Sequence, residues 1–193
     1  MSTAIWMKRI REVSPRLKAR IASVLFLLLL LTAAFTEFFV RGKLSFAADL
    51  AVGIIEVSCM IAVTLLLYDI FKSVNRSLSL LAASFNFVGL AFELIQFQPK
   101  GVNIGMGFHG FYWLLIGSLI FRSTFLPRIL GVLMAIAGLC WLTFLSLPLA
   151  NYLSPYNLAS GLLVEGFVFL WLLVMGLNVQ RWKEQASAAV ASA

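Results

Sequence analysis

Charge is scarce in this chain: 12% of its 193 residues are Asp, Glu, Lys or Arg, against roughly a quarter in soluble domains, while 62% are apolar. That balance excludes a water-soluble globule and equally a disordered chain. Two cysteines exclude a disulfide-rich scaffold. One histidine excludes a three-histidine zinc site by count, and His-Glu-x-x-His and Glu-x-x-His are both absent, which removes the zincin and di-iron bundle patterns. There is no Gly-x-Ser-x-Gly elbow for a serine nucleophile. Strand-like alternation is missing too, which argues against a membrane barrel.

What is present is long apolar runs. A helix needs about 20 apolar residues to cross a hydrocarbon core of about 30 Å. Six such runs, bounded by charge, Pro or Gly, lie at Ile21–Val40, Ala47–Tyr68, Ser77–Phe97, Val102–Phe121, Leu126–Leu149 and Pro155–Leu177. Lipid offers backbone groups no water, so the runs must be helices, and short loops make sequential helices antiparallel neighbours. Ser14-Pro15 reads as an N-cap and first-turn proline, and Pro127 and Pro155 open the fifth and sixth spans. The expected fold is therefore an all-α integral membrane bundle of six transmembrane helices. Its expected parts are a basic N-terminal segment (1–20), the helical domain (21–180) and a tail (181–193).

Lys and Arg set the expected orientation. Twelve fall on the side of the termini and three (Arg41, Lys43, Lys100) on the other, which places both termini in the cytoplasm of a multi-pass inner-membrane protein. The net charge of +7 is then a topology signal with affinity for anionic lipid, and nothing supports a nucleic-acid partner. Ile10, Val13 and Leu17 recur at helical spacing beside Trp6, which suits either a helix on the membrane surface or a basic tail that only sets topology. Thr32-Ala33-Ala34 is small enough for signal cleavage, but the long charged region before it predicts a retained span. The Ala/Ser-rich residues after Gln185 are expected to fray.

Ionisable groups inside spans are costly and usually face a bundle interior, so each is a candidate functional residue. Glu37, Glu56, Glu93, His109 and Glu165 come from five different spans and all fall in the outer half of the membrane. Asn86, Gly89, Glu93 and Gln96 share one helix face; Gly105, His109 and Tyr112 share another. Glu37 and Arg41 are an i,i+4 pair. Carboxylates gathered in low dielectric repel, so such a layer calls for protons, cationic partners or a metal. Three readings stay open: a site with Glu37, Glu56, Glu93, His109, Tyr112 and Glu165 that binds or passes a small solute or lipid; a metal-assisted membrane hydrolase with candidate ligands His109, Glu56 and Glu165; or a structural network that sets helix register. No cofactor is identified, and the one certain partner is the lipid bilayer.

Several strings need a simpler explanation. Gly105-x-Gly107-x-x-Gly110 resembles a dinucleotide fingerprint, but no strand precedes it, so close helix packing is expected, as for Gly131, Ala135 and Gly138 and for Gly161 and Gly166. Cys59 and Cys140 read as small apolar residues. Trp113, Trp141 and Trp171 lie away from the interfaces and either wall an apolar pocket or pack in the core. The loops Ile70-Phe71-Lys72-Ser73 and Ile120-Phe121-Arg122-Ser123 repeat at an offset of 50 residues, by tandem duplication or by convergence.

The stretches AAFTEFFVRGKL, LLLYDIFKSVNRSLSLLAASF and HGFYWLLIGSLIFRSTFLPRILGVLMAIAGLCWL resemble the bacterial membrane family called domain of unknown function 4386, from about Arg20 to Trp182. The most specific parts are Val74-Asn75-Arg76-Ser77-Leu78 and Phe121-Arg122-Ser123 through Leu126-Pro127-Arg128-Ile129-Leu130-Gly131. The resemblance implies a multi-span inner-membrane protein and supplies no catalytic residue. It also implies a longer segment between the first two spans than the short Arg41–Phe46 connection found here.

Overall fold

In the computed structural model, residues 14–35 and 46–191 are described. Glu37, Arg41 and Lys43, and Trp6, Ile10 and Val13, lie outside them. The described chain is all helical: α1 (Pro15–Phe35), α2 (Phe46–Phe71), α3 (Arg76–Leu94), α4 (Ile104–Arg122), α5 (Arg128–Leu142), a short α6 (Leu147–Leu153), α7 (Tyr156–Val174) and α8 (Val179–Ala191). Six of these are long and apolar enough to cross a membrane. The molecule is a multi-pass helical membrane protein.

Short polar side chains start the helices where the sequence places them. Ser14 Oγ accepts from Leu17 N at 3.2 Å, Asn75 Oδ1 from Leu78 N at 2.8 Å, and Asn103 Oδ1 from Met106 N at 3.1 Å. Pro127 and Pro155 occupy the N-cap positions of α5 and α7. One span is shorter than its apolar run. The run Leu126–Leu149 contains a helix that ends at Leu142, a tight turn over Thr143–Leu145, and then α6. Pro148 explains the break, because it has no N–H to offer and its ring would collide with the Phe144 carbonyl in a continuous helix.

The long helices close into a ring in the order α1, α2, α3, α4, α5, α7 and back to α1. The tightest seam joins α4 to α5. There Gly110 faces Gly138 and Gly117 faces Gly131, so closely that a Cβ on any of the four would come within 2.6–2.8 Å of its partner's carbonyl oxygen. Gly107 makes room for the Leu145 side chain. The fingerprint-like glycine string is thus a packing device. Gly166 makes only ordinary contact with Leu30.

Aromatic rings fill the centre of the ring of helices. Phe26 of α1 stacks on Phe169 of α7 at 4.0 Å, and both meet the Trp113 ring of α4 edge-on at 5.6 and 5.7 Å. Trp113 is fully buried.

The end where α1 begins and α7 stops is called the terminal end here, and the opposite one the distal end. At the terminal end Asp69 pairs with both Lys18 and Lys72. Helix α8 docks beneath the loops: Trp182 Nε1 donates to Ile70 O at 3.0 Å, and Gln185 Oε1 accepts from Thr124 N and Oγ1, both at 3.0 Å. The expected frayed tail is instead helical to Ala191, in keeping with the helix preference of alanine. The two similar loops share one closure, Ser73 Oγ to Ile70 O at 2.9 Å and Ser123 Oγ to Ile120 O at 2.8 Å. The isoleucines and serines are buried alike, but the aromatic residues differ: Phe71 is buried, whereas Phe121 is exposed under the Arg128 guanidinium.

Candidate functional site

The distal half of the ring holds a cavity of about 850 Å³. All six long helices contribute to its wall, among them Leu30 of α1, Glu56 of α2, Glu93 of α3, His109 of α4, Trp141 of α5 and Glu165 of α7. Four of the five ionisable residues singled out in the sequence therefore share one cavity, and the fifth, Glu37, lies outside the described residues. Tyr112 does not line it. That ring is buried beneath the layer, and its hydroxyl lies beside Thr64 without a contact of hydrogen-bond geometry.

His109 is held by a chain of hydrogen bonds that runs in one direction. Trp113, one turn along α4, donates its Nε1–H to His109 Nε2 at 2.7 Å. An indole nitrogen can only donate, so the imidazole proton must sit on Nδ1, which donates to Asn86 Oδ1 at 3.2 Å. Asn86 Nδ2 donates to Thr64 Oγ1 at 2.6 Å, and Thr64 donates to Met60 O at 2.7 Å. The chain ties α4, α3 and α2 together at mid-depth, and every link has a partner on each side.

Glu165 is 1% exposed, and its Oε1 accepts from Trp141 Nε1. Gly161, one turn before Glu165, lets the indole lie close against α7: a Cβ there would be 3.2 Å from its Nε1 and Cε2, tight enough that the ring would have to shift by a few tenths of an ångström. A similar concession shapes Glu93, since a Cβ on Gly105 would come 2.5 Å from its Cγ. The side chain passes across Gly105 and lines the cavity, as does that of Glu56. Gln96, Gln98 and Asn103 line the same space, while Leu29, Leu30, Leu90 and Leu162 give it apolar walls.

The sequence reading missed the donors. The i,i+4 spacing of His109 and Trp113 was a usable signal; nothing local links Trp141 to Glu165, which is 24 residues away. Trp141 walls the cavity, Trp113 packs in the core, and Trp171 lines a second cleft at the terminal end. Of the metal-ligand candidates Glu56, His109 and Glu165, His109 has both ring nitrogens engaged. Among the described residues no three His, Cys, Asp or Glu side chains are grouped to hold a metal ion. Cys59 and Cys140 are free thiols.

The helices that carry most of this site also carry a likeness. Residues 90–176 match the model of a domain of unknown function, DUF4386. The DUF4386-like stretch contains Glu93, His109, Trp141, Glu165 and both facing glycine pairs, whereas the Val74–Leu78 loop falls outside it. No curated protein and no solved structure matches the chain. The likeness to DUF4386 brings no assigned activity.

Proposed function

We propose that this protein binds, or passes, a small solute or lipid in its distal cavity, and that it does so without chemistry. The observation that carries the reading is one space of about 850 Å³ whose wall takes Glu56, Glu93, His109 and Glu165 from four helices. Ligand sites are commonly apolar clefts of this size with a few convergent polar groups. The division of labour follows from hydrogen bonding. His109, Asn86 and Thr64 satisfy one another and hold register, while Glu56 and Glu93 face open space with no hydrogen bond among the described residues. Orientation belongs to the same proposal: among the described residues Arg16, Lys18, Arg20, Lys72, Arg76, Arg122, Arg128, Arg181 and Lys183 gather at the terminal end, against Lys100 at the distal end. That distribution supports cytoplasmic termini in the cell inner membrane and a cavity reached from the opposite side.

The test is a thermal-shift panel of polar solutes and lipids on the detergent-purified protein, run beside Glu56→Gln and Glu93→Gln. A true ligand at a hundredfold its Kd stabilises by about 2.7 kcal/mol, or roughly 5–10 °C, and the variants respond less. Equal shifts in all three proteins, or none in any, refute the reading. A metal-assisted hydrolase using His109 with Glu56 and Glu165 is the competing reading, since all three line the same cavity, although among the described residues they are not grouped to hold a metal ion. Elemental analysis of the protein beside His109→Ala, after matched chelator washes, decides it: near-stoichiometric Zn, Mn or Fe lost in the variant supports the hydrolase.

A further inference from the structure

A second cleft of about 600 Å³ lies at the terminal end, walled by the start of α1, the end of α7, the α4–α5 loop and the start of α8. Two arginines line it, Arg16 and Arg181, and among the described residues no Asp or Glu does. Their positions are built. The stem of Arg16 lies across Gly176, which has φ +68°, so closely that a Cβ there would be 3.0 Å from both Arg16 Cγ and Nε. From there its Nη2 donates to Met175 O at 3.3 Å, and Arg181 Nη1 donates to Thr124 O at 3.4 Å.

Those two long bonds are the only side-chain hydrogen bonds either guanidinium makes among the described residues, although each has five N–H donors in a planar fork. At the same end of the molecule the Asp69 carboxylate is taken by Lys18 and Lys72. Two cations are thus brought to one cleft with most of their donors unused and, among the described residues, no ion pair to either. We propose that this cleft binds an anionic phosphate group, which Arg16 and Arg181 grip by paired N–H donors. The proposal is independent of the distal cavity and shares no residue with it.

A lipid headgroup and free phosphate offer the same chemistry. Position favours the lipid: Trp171, in the last turn of α7, lines the cleft, and Leu17 and Val174, next in sequence to the lining residues Arg16 and Met175, are exposed apolar side chains.

The experiment is native mass spectrometry of the full chain in detergent, titrated with dioleoylphosphatidylglycerol, dioleoylphosphatidylcholine or inorganic phosphate. The expected result is at least tenfold tighter binding of phosphatidylglycerol than of phosphatidylcholine, abolished in Arg16→Gln/Arg181→Gln and weakened by added salt. Competition by millimolar inorganic phosphate would assign the site to the free anion, with the same chemistry. Because the double variant could fail to fold, Arg16→Lys and Arg181→Lys are measured too; they keep the charge, lose the fork and are expected to bind weakly rather than not at all. Equal binding of the two lipids with no effect of phosphate overturns the proposal, as does wild-type affinity in a folded Gln variant.

Discussion

Trp141 and Glu165 form a pair whose energetics can be worked through. Glu165 is 1% exposed, and the Trp141 indole is the only hydrogen-bond partner found for it among the described residues. Trp141→Phe removes the donor and strands the acceptor, at a cost of about 1–3 kcal/mol. It also loses the indole edge that packs against Gly161, while the space left behind merges with the existing cavity. A total of about 2–4 kcal/mol follows, or roughly 5–15 °C in Tm at about 2–4 °C per kcal/mol for a chain of this size. Glu165→Leu strands the donor instead and costs a similar amount. The double variant replaces both polar partners by apolar groups, which is close to neutral in principle. The cycle, read by thermal melting in detergent, should therefore show a coupling of about 2–6 kcal/mol, one stranded-group cost of about 1–3 kcal/mol from each single variant. Additivity within about 0.5 kcal/mol would mean that the bond contributes nothing, and the account of this wall of the cavity would fail.

Other perturbations separate packing from binding. Trp113→Phe leaves the half-buried His109 Nε2 without its donor and should cost about 1–3 kcal/mol in melting experiments, with Trp113→Phe/His109→Leu recovering part of it. Gly117→Ala drives a methyl to 2.7 Å from the Gly131 carbonyl oxygen; the α4–α5 seam must open, at about 1–3 kcal/mol, and an unchanged melting temperature would contradict the close approach. Gly105→Ala should displace the Glu93 side chain, so a ligand found by the thermal-shift panel should lose affinity by more than the fold loses stability. Asp69→Asn should cost only about 1 kcal/mol, and the difference should shrink in high salt, because the pair with Lys18 and Lys72 is partly exposed.

Much of the site was legible because an ionisable residue within a span has so few tolerable positions. Glu56, Glu93, His109 and Glu165 could be assigned to one layer by counting residues along each helix, and they do line one cavity. Tyr112 fell on the same helical face as His109 yet lies below the cavity wall, since a face extends along the whole helix and a cavity occupies only part of it. The partners were harder to read. Asn86 and Thr64 are 22 residues apart, and Trp141 and Glu165 are 24 apart, on helices whose rotation about their own axes no local pattern specifies. The mean apolarity of these spans is high on every side, so the usual amphipathic cue to helix facing is weak.

The break at Ser146 shows the same division at smaller scale: hydropathy registers the apolar run from Leu126 to Leu149, but Pro148 decides where the helix can continue. The sequence alone determined that the chain has six helices apolar enough to cross a membrane, that glycine faces would pack closely, and that four ionisable residues would fall at one level of the spans. Each of these follows from a one-dimensional count against a fixed length or period. The tertiary structure decided the ring closure of α1 against α7, the pairing of Trp141 with Glu165, the directed chain through His109, and the gathering of Arg16 with Arg181 across 165 residues of sequence. Those depend on how each helix is rotated and tilted in the bundle, which is set by side chains meeting from distant parts of the chain.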